Sequence, residues 1–173
     1  MSDARRTIRD GVVAGLIGYA AVAVFYSAFD FLAARGTLYT VNVLGRAVFR
    51  GLRDPGTLFF PVDLDAGAIL AYNTLHLVLA IAIGLIVTSL VSLGDRNPGR
   101  RRFIRLVIVA GFFVTIAAVG LLTSSMRPVL PWWSIVVANA LAALLAGAYL
   151  IGRRPGLWRR LVLVETEHDR GGA

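Results

Sequence analysis

Four apolar runs, each long enough to cross a membrane as a helix, leave this chain few ways to fold. They cover about residues 11–33, 66–93, 106–126 and 131–151. A helix needs roughly 20 residues to traverse hydrocarbon about 30 Å thick, and each run supplies them. Inside lipid every backbone N–H and C=O must find a partner within the protein, which only helices and closed barrels achieve. The runs lack the polar–apolar alternation of barrel strands. The expected fold is therefore an all-α integral membrane protein: four transmembrane helices, with an amphipathic helix in the outer interface between spans 1 and 2.

Composition agrees. Of 173 residues, 57% are hydrophobic and 16% charged, against roughly 25% charged in soluble domains. A soluble core of this size could not hide so much apolar side chain. The net charge of +8 does not point to nucleic acid, because the basic residues flank the apolar runs instead of lining one surface. All of them are Arg. Cysteine is absent, which excludes disulfides, thiolate metal sites and thiol redox chemistry.

Three segments are expected: an N-terminal flank (1–10), a four-helix membrane domain (11–151, with an outer loop at 34–66) and a C-terminal tail (152–173). The tail should begin along the headgroups, anchored by Trp158, and end disordered. Arg5, Arg6 and Arg9 precede the first span, and Arg96, Arg100, Arg101, Arg102 and Arg105 lie between spans 2 and 3. Arg153, Arg154, Arg159, Arg160 and Arg170 follow span 4. The opposite side holds only Arg35, Arg46, Arg50, Arg53 and Arg127. This excess predicts cytoplasmic N- and C-termini in the cell inner (plasma) membrane. The first run is too long for a secretory h-region, so it is expected to remain as a span.

Small residues mark where helices can approach. Gly11 and Gly15 form a GxxxG pair with Gly18 beyond them, and Ala138, Ala142 and Ala146 recur every fourth residue. In the outer loop, Val41, Leu44, Val48 and Leu52 fall on one helical face. Asn42, Arg46, Arg50 and Arg53 fall on the other and form an expected lipid or partner face. Asp54 and Pro55 should end that helix, with Phe59 and Phe60 anchoring an extended stretch at the headgroups.

The strongly polar span residues gather towards the outer side: Asp30 in span 1, Asn73 and His76 one turn apart in span 2, and Asn139 in span 4. The inner half offers Thr88, Ser89 and Ser92, whose hydroxyls can bond back to their own helices. Such groups are costly in lipid and face a bundle interior or a wet cavity. This predicts an outward-opening binding pocket of Asp30, Asn73, His76 and Asn139, with Arg127 and Arg35 at its mouth. Hydrogen bonding between helices with no ligand is the competing explanation. Trp132 and Trp133 read as interfacial belt residues.

No catalytic residues are expected. There is no nucleophile elbow, phosphate loop or zincin pattern, and one span histidine does not make a metal-hydrolase set. No cofactor is predicted, since haem would require His76 from two subunits, the other histidine being His168 in the tail. The expected function is that of a small multi-pass protein acting as an accessory or assembly subunit or homo-oligomeric binding protein. Its partners are membrane lipids, further copies or a larger membrane complex. The alternative is a proton- or ion-coupled transporter, or a redox-associated membrane protein, using His76 and Asp30.

Overall fold

A computed structural model describes residues 3–52, 63–128 and 130–153. Its elements are α1 (Asp3–Leu32), α2 (Tyr39–Arg50), α3 (Ala66–Arg96), α4 (Arg101–Leu122) and α5 (Trp132–Arg153). Single turns of 3-10 helix precede and follow α4. No strand occurs among the described residues. Helices α1, α3, α4 and α5 are long and apolar enough to cross a membrane. They run up and down, so the start of α1, the α3–α4 connection and the end of α5 share one end of the bundle. We call this the terminal end and the opposite one the α2 end.

Helix α1 is the hub, packing extensively on α3 and α5. Its small residues make two stripes. Gly11 and Gly15 meet α3 so closely that a Cβ on Gly15 would lie 2.6 Å from the Ala80 carbonyl oxygen and the Ile81 Cα. Gly84 returns the contact: a Cβ there would collide with the Gly11 carbonyl oxygen and lie 2.6 Å from the Gly15 nitrogen. Backbone thus packs on backbone, the approach that only glycine permits. The second stripe, Ala14, Gly18 and Ala21, turns to α5, where Gly18 faces Ala142.

Helix α4 is held more lightly, with sparse contacts to α3 and α5. Its buried residues are Ile104, Ile116 and Gly120. Ile104 packs against Gly94, and the Trp132 indole lies so close over Gly120 that no side chain fits there. The core proper sits under α2, where Tyr39, Val43 and Leu44 pack with Met126, Leu130 and Ile135, flanked by Tyr26, Tyr72 and Val119.

α1 begins at Asp3, so the expected N-terminal flank is helical over most of its length. Several local expectations need revision. α2 ends at Gly51, whose left-handed φ of 67° lets its N–H cap the helix on the Arg46 carbonyl. Asn42, assigned to the exposed basic face, is completely buried. Its amide nitrogen donates to the Asp63 carbonyl (3.1 Å) and its oxygen accepts from the Asp65 N–H (2.9 Å). An amide can mimic a backbone partner, so its burial costs little. Val48, on the expected apolar face, is 55% exposed, and the apolar stripe of α2 that packs inside the protein runs through Tyr39, Val43 and Leu44. Trp132 is more than a belt residue, since it wedges α5 against α4. Arg53, Asp54, Pro55, Phe59, Phe60, Trp158, His168 and the tail arginines from Arg154 onward lie outside the described residues.

Candidate functional site

The polar span residues fall into separate groups, each built by a particular helix contact. Asn73 and His76 stay together. The Gly11–Gly15 stripe continues one turn on to Tyr19, which therefore also faces α3. Its hydroxyl donates to the Asn73 side-chain oxygen (3.0 Å), while the Asn73 amide donates back to the Ile69 carbonyl (3.0 Å). The Tyr19 ring lies 5.2 Å from the His76 imidazole and Tyr72 flanks it at 6.1 Å. Among the described residues neither imidazole nitrogen has a hydrogen-bond partner, so His76 is cradled by rings while its nitrogens stay available.

Asp30 stands apart from that pair. It is 1% exposed, at the last turn of α1, and receives both the N–H and the hydroxyl of Thr40, each at 2.6 Å. Its carboxyl thus fixes the start of α2. Arg35 lies beside it with its guanidinium over the rings of Phe29 (5.2 Å) and Tyr39 (4.8 Å). Between the two groups, the Tyr26 and Ser134 hydroxyls meet at 3.4 Å, linking α1 to α5.

Asn139 donates to the Ile135 carbonyl of its own helix (2.8 Å). No hydrogen bond among the described residues joins it to Asp30, Asn73 or His76. Arg127 is exposed in the turn after α4. The structure therefore brings Asn73 and His76 together and leaves Asp30, Asn139 and Arg127 in other surroundings.

The expected basic face of α2 is partly engaged within the chain. The Arg50 Nε and Nη2 atoms donate to the two Asp65 carboxylate oxygens (2.9 and 3.4 Å), and Arg46 donates to the Asp63 carbonyl (3.4 Å). Asp65 also caps α3 by accepting from the Ala68 N–H at 2.9 Å. These donors hold the Asp65 carboxyl down at about 2, the Arg50 guanidinium contributing most, and the same pair raises Arg50 above its ordinary value.

At the terminal end, Asp10, the last residue of the expected N-terminal flank, is 0% exposed and surrounded by Arg6, Arg9 and Arg153 at 3.9, 3.4 and 3.8 Å. The signal was present in the spacing: Asp10, Ala14 and Gly18 step by four residues along the stripe that faces α5. In the same way, Gly11 and Gly15 point to Tyr19. Thr88, expected to bond back to its helix, is buried with its hydroxyl unpartnered among the described residues.

No family model, curated protein or solved structure matches this chain. Among the described residues no group of three or more His, Asp or Glu converges as a metal site would require.

Proposed function

We propose that this chain is a small four-span membrane protein that works by association, as an accessory or assembly subunit or as a homo-oligomer. One observation carries the reading: α1, α3 and α5 form a closely packed frame, while α4 hangs beside it with few contacts. Along α4, Leu106, Val109, Phe113 and Val114 are all more than half exposed. The polar span residues support the same reading, since Tyr19–Asn73, Tyr26–Ser134 and Asp30–Thr40 each tie one element to another. A positive-inside orientation would place the terminal end, where Arg6, Arg9 and Arg153 gather, in the cytoplasm of a bacterial cell.

The absence of cysteine makes the test clean. Ala110→Cys introduces a lone thiol midway along exposed α4, and Leu70→Cys introduces one on exposed α3. Thiol cross-linking in native membranes should give a discrete product from Ala110→Cys, either a doubled mass or a conjugate with one other polypeptide. If it yields no more product than Leu70→Cys, the association reading fails.

The available nitrogens of His76 favour a second reading, in which the Tyr19–Asn73–His76–Tyr72 group holds a ligand or passes a proton. Against a relay through one copy, residues 77–87 of α3 and 11–18 of α1 contain no polar side chain, and their backbones are in contact at Gly11, Gly15 and Gly84. His76→Leu separates the two readings. Loss of a pH-dependent flux with cross-linking intact supports the relay, and unchanged flux removes it.

A further inference from the structure

The cluster around Asp10 has more cationic charge than its own carboxylate can balance. Asp10 is completely buried, yet the three arginines converging on it keep 43–48% of their side chains exposed. Arg6 also donates through Nη2 to the Arg153 carbonyl at 3.1 Å, tying the start of α1 to the end of α5. Arg6 and Arg153 each turn Nε towards the carboxylate, and Arg9 uses a single Nη2. The remaining guanidinium nitrogens meet no other described residue. Three cations on one anion leave a local surplus of two positive charges.

Charge placed only to orient the chain has no need to converge. The neighbouring Arg96 pairs singly with Asp3, both well exposed, and shows what an ordinary surface pair here looks like. Around Asp10 the buried carboxylate gathers three guanidinium groups at 3.4–3.9 Å. Guanidinium forks gathered on one anchor suit an anion with several equivalent oxygens. The site lies just beyond the apolar stretch beginning at Gly11 and at the close of the α5 run, which is headgroup depth if these helices span a bilayer.

We propose that Arg6, Arg9 and Arg153, anchored by Asp10, form a binding site between α1 and α5 for a phosphate-bearing anion. The phosphate comes either from an anionic lipid headgroup or from free solution. The site is independent of whether α4 binds a partner.

The full chain, purified in mild detergent, is titrated with phosphatidylglycerol, phosphatidylcholine or inorganic phosphate and read by native mass spectrometry. Each arginine near an anionic headgroup is worth roughly fivefold, so Arg9→Gln/Arg153→Gln should weaken phosphatidylglycerol binding by about tenfold or more. Arg5→Gln/Arg100→Gln removes equal charge away from Asp10 and should change it by less than about twofold. Competition by inorganic phosphate assigns the site to a free anion; retention of lipid against it, with phosphatidylcholine bound weakly, assigns it to a headgroup. Equal losses in both double variants, or no loss in either, overturn the proposal. Should the Gln variant fail to fold, Arg9→Lys/Arg153→Lys keeps the charge and removes the forks, and full binding by that variant also overturns it.

Discussion

Helix α1 buries one carboxyl near each end and surrounds them by opposite means. Asp30 takes two short hydrogen bonds from a single neutral residue, Thr40. Asp10 is ringed by three cations from two helices at longer range. The first arrangement is saturated and directional, so it fixes one geometry and joins α2 to the bundle. The second is loose and overcharged, so it leaves donors for something else. Two residues of one type on one helix thus make a joint at one end and an open site at the other. Between them the α1–α3 contact is dry, and backbone lies on backbone.

That dry contact is where the comparison breaks most easily. Gly84→Val puts a branched side chain where a single Cβ already meets the Gly11 carbonyl and the Gly15 nitrogen. Flexible side chains can give way, but two helix backbones cannot. Overpacking of well-packed sites costs about 1–3 kcal/mol and more when backbone must move, so the variant should lose about 3 kcal/mol or more. Denaturant unfolding in detergent checks it. An unfolding midpoint matching the parent would mean that α1 and α3 can separate freely, and the two ends would then not be insulated.

The two carboxyls themselves come next. In Asp30→Asn the amide keeps one acceptor oxygen and turns an NH2 towards a Thr40 donor, leaving a buried donor unmet. That costs about 1–3 kcal/mol and should be felt as release of α2, with faster hydrogen exchange at the Thr40 amide. Asp10→Asn removes an anion whose partners are half in solvent, so the arginines it releases can be rehydrated. It should destabilise less and leave exchange in α2 untouched. If Asp10→Asn proves the more damaging substitution, the open-site description of the terminal end is wrong.

Much of this architecture is legible in the sequence because apolar run length reports helix length directly. Four such runs give four helices suited to a membrane, and a fifth, amphipathic segment gives α2. Residue burial was harder to read, because face assignment by polarity sends every polar residue outward. Asn42 defeats that rule, since its amide does the work of backbone, and Asp10 defeats it because its carboxyl is buried beneath arginines that stay nearly half exposed. The site residues share the difficulty. Asn73 and His76 lie three residues apart on one helix, so their proximity is local. Asp30, Asn139 and Arg127 are on different elements, and their separation depends on helix rotation. Tyr19 was reachable only by extending the glycine stripe one more turn.

The smallest effect sharpens the α2 end. Below Asp30, α2 is tied a second time through Arg50 and Asp65, a pair exposed enough for solvent to screen. The Asp65 carboxyl is held at about 2 in the folded chain, against about 3.9 when unfolded. A depressed folded value means that the cap contributes fully above about pH 4 and is lost as the pH falls through about 2. In that window the first turn of α3 should fray, seen as accelerating exchange of the Ala68 amide, while the Thr40 amide stays protected by Asp30. Arg50→Gln removes the largest cause of the depression, so fraying should begin at higher pH with the Asp65 cap itself still intact at neutrality. If Ala68 and Thr40 lose protection together, α2 is attached through one cooperative unit and the distinction between its buried joint and its surface pair disappears.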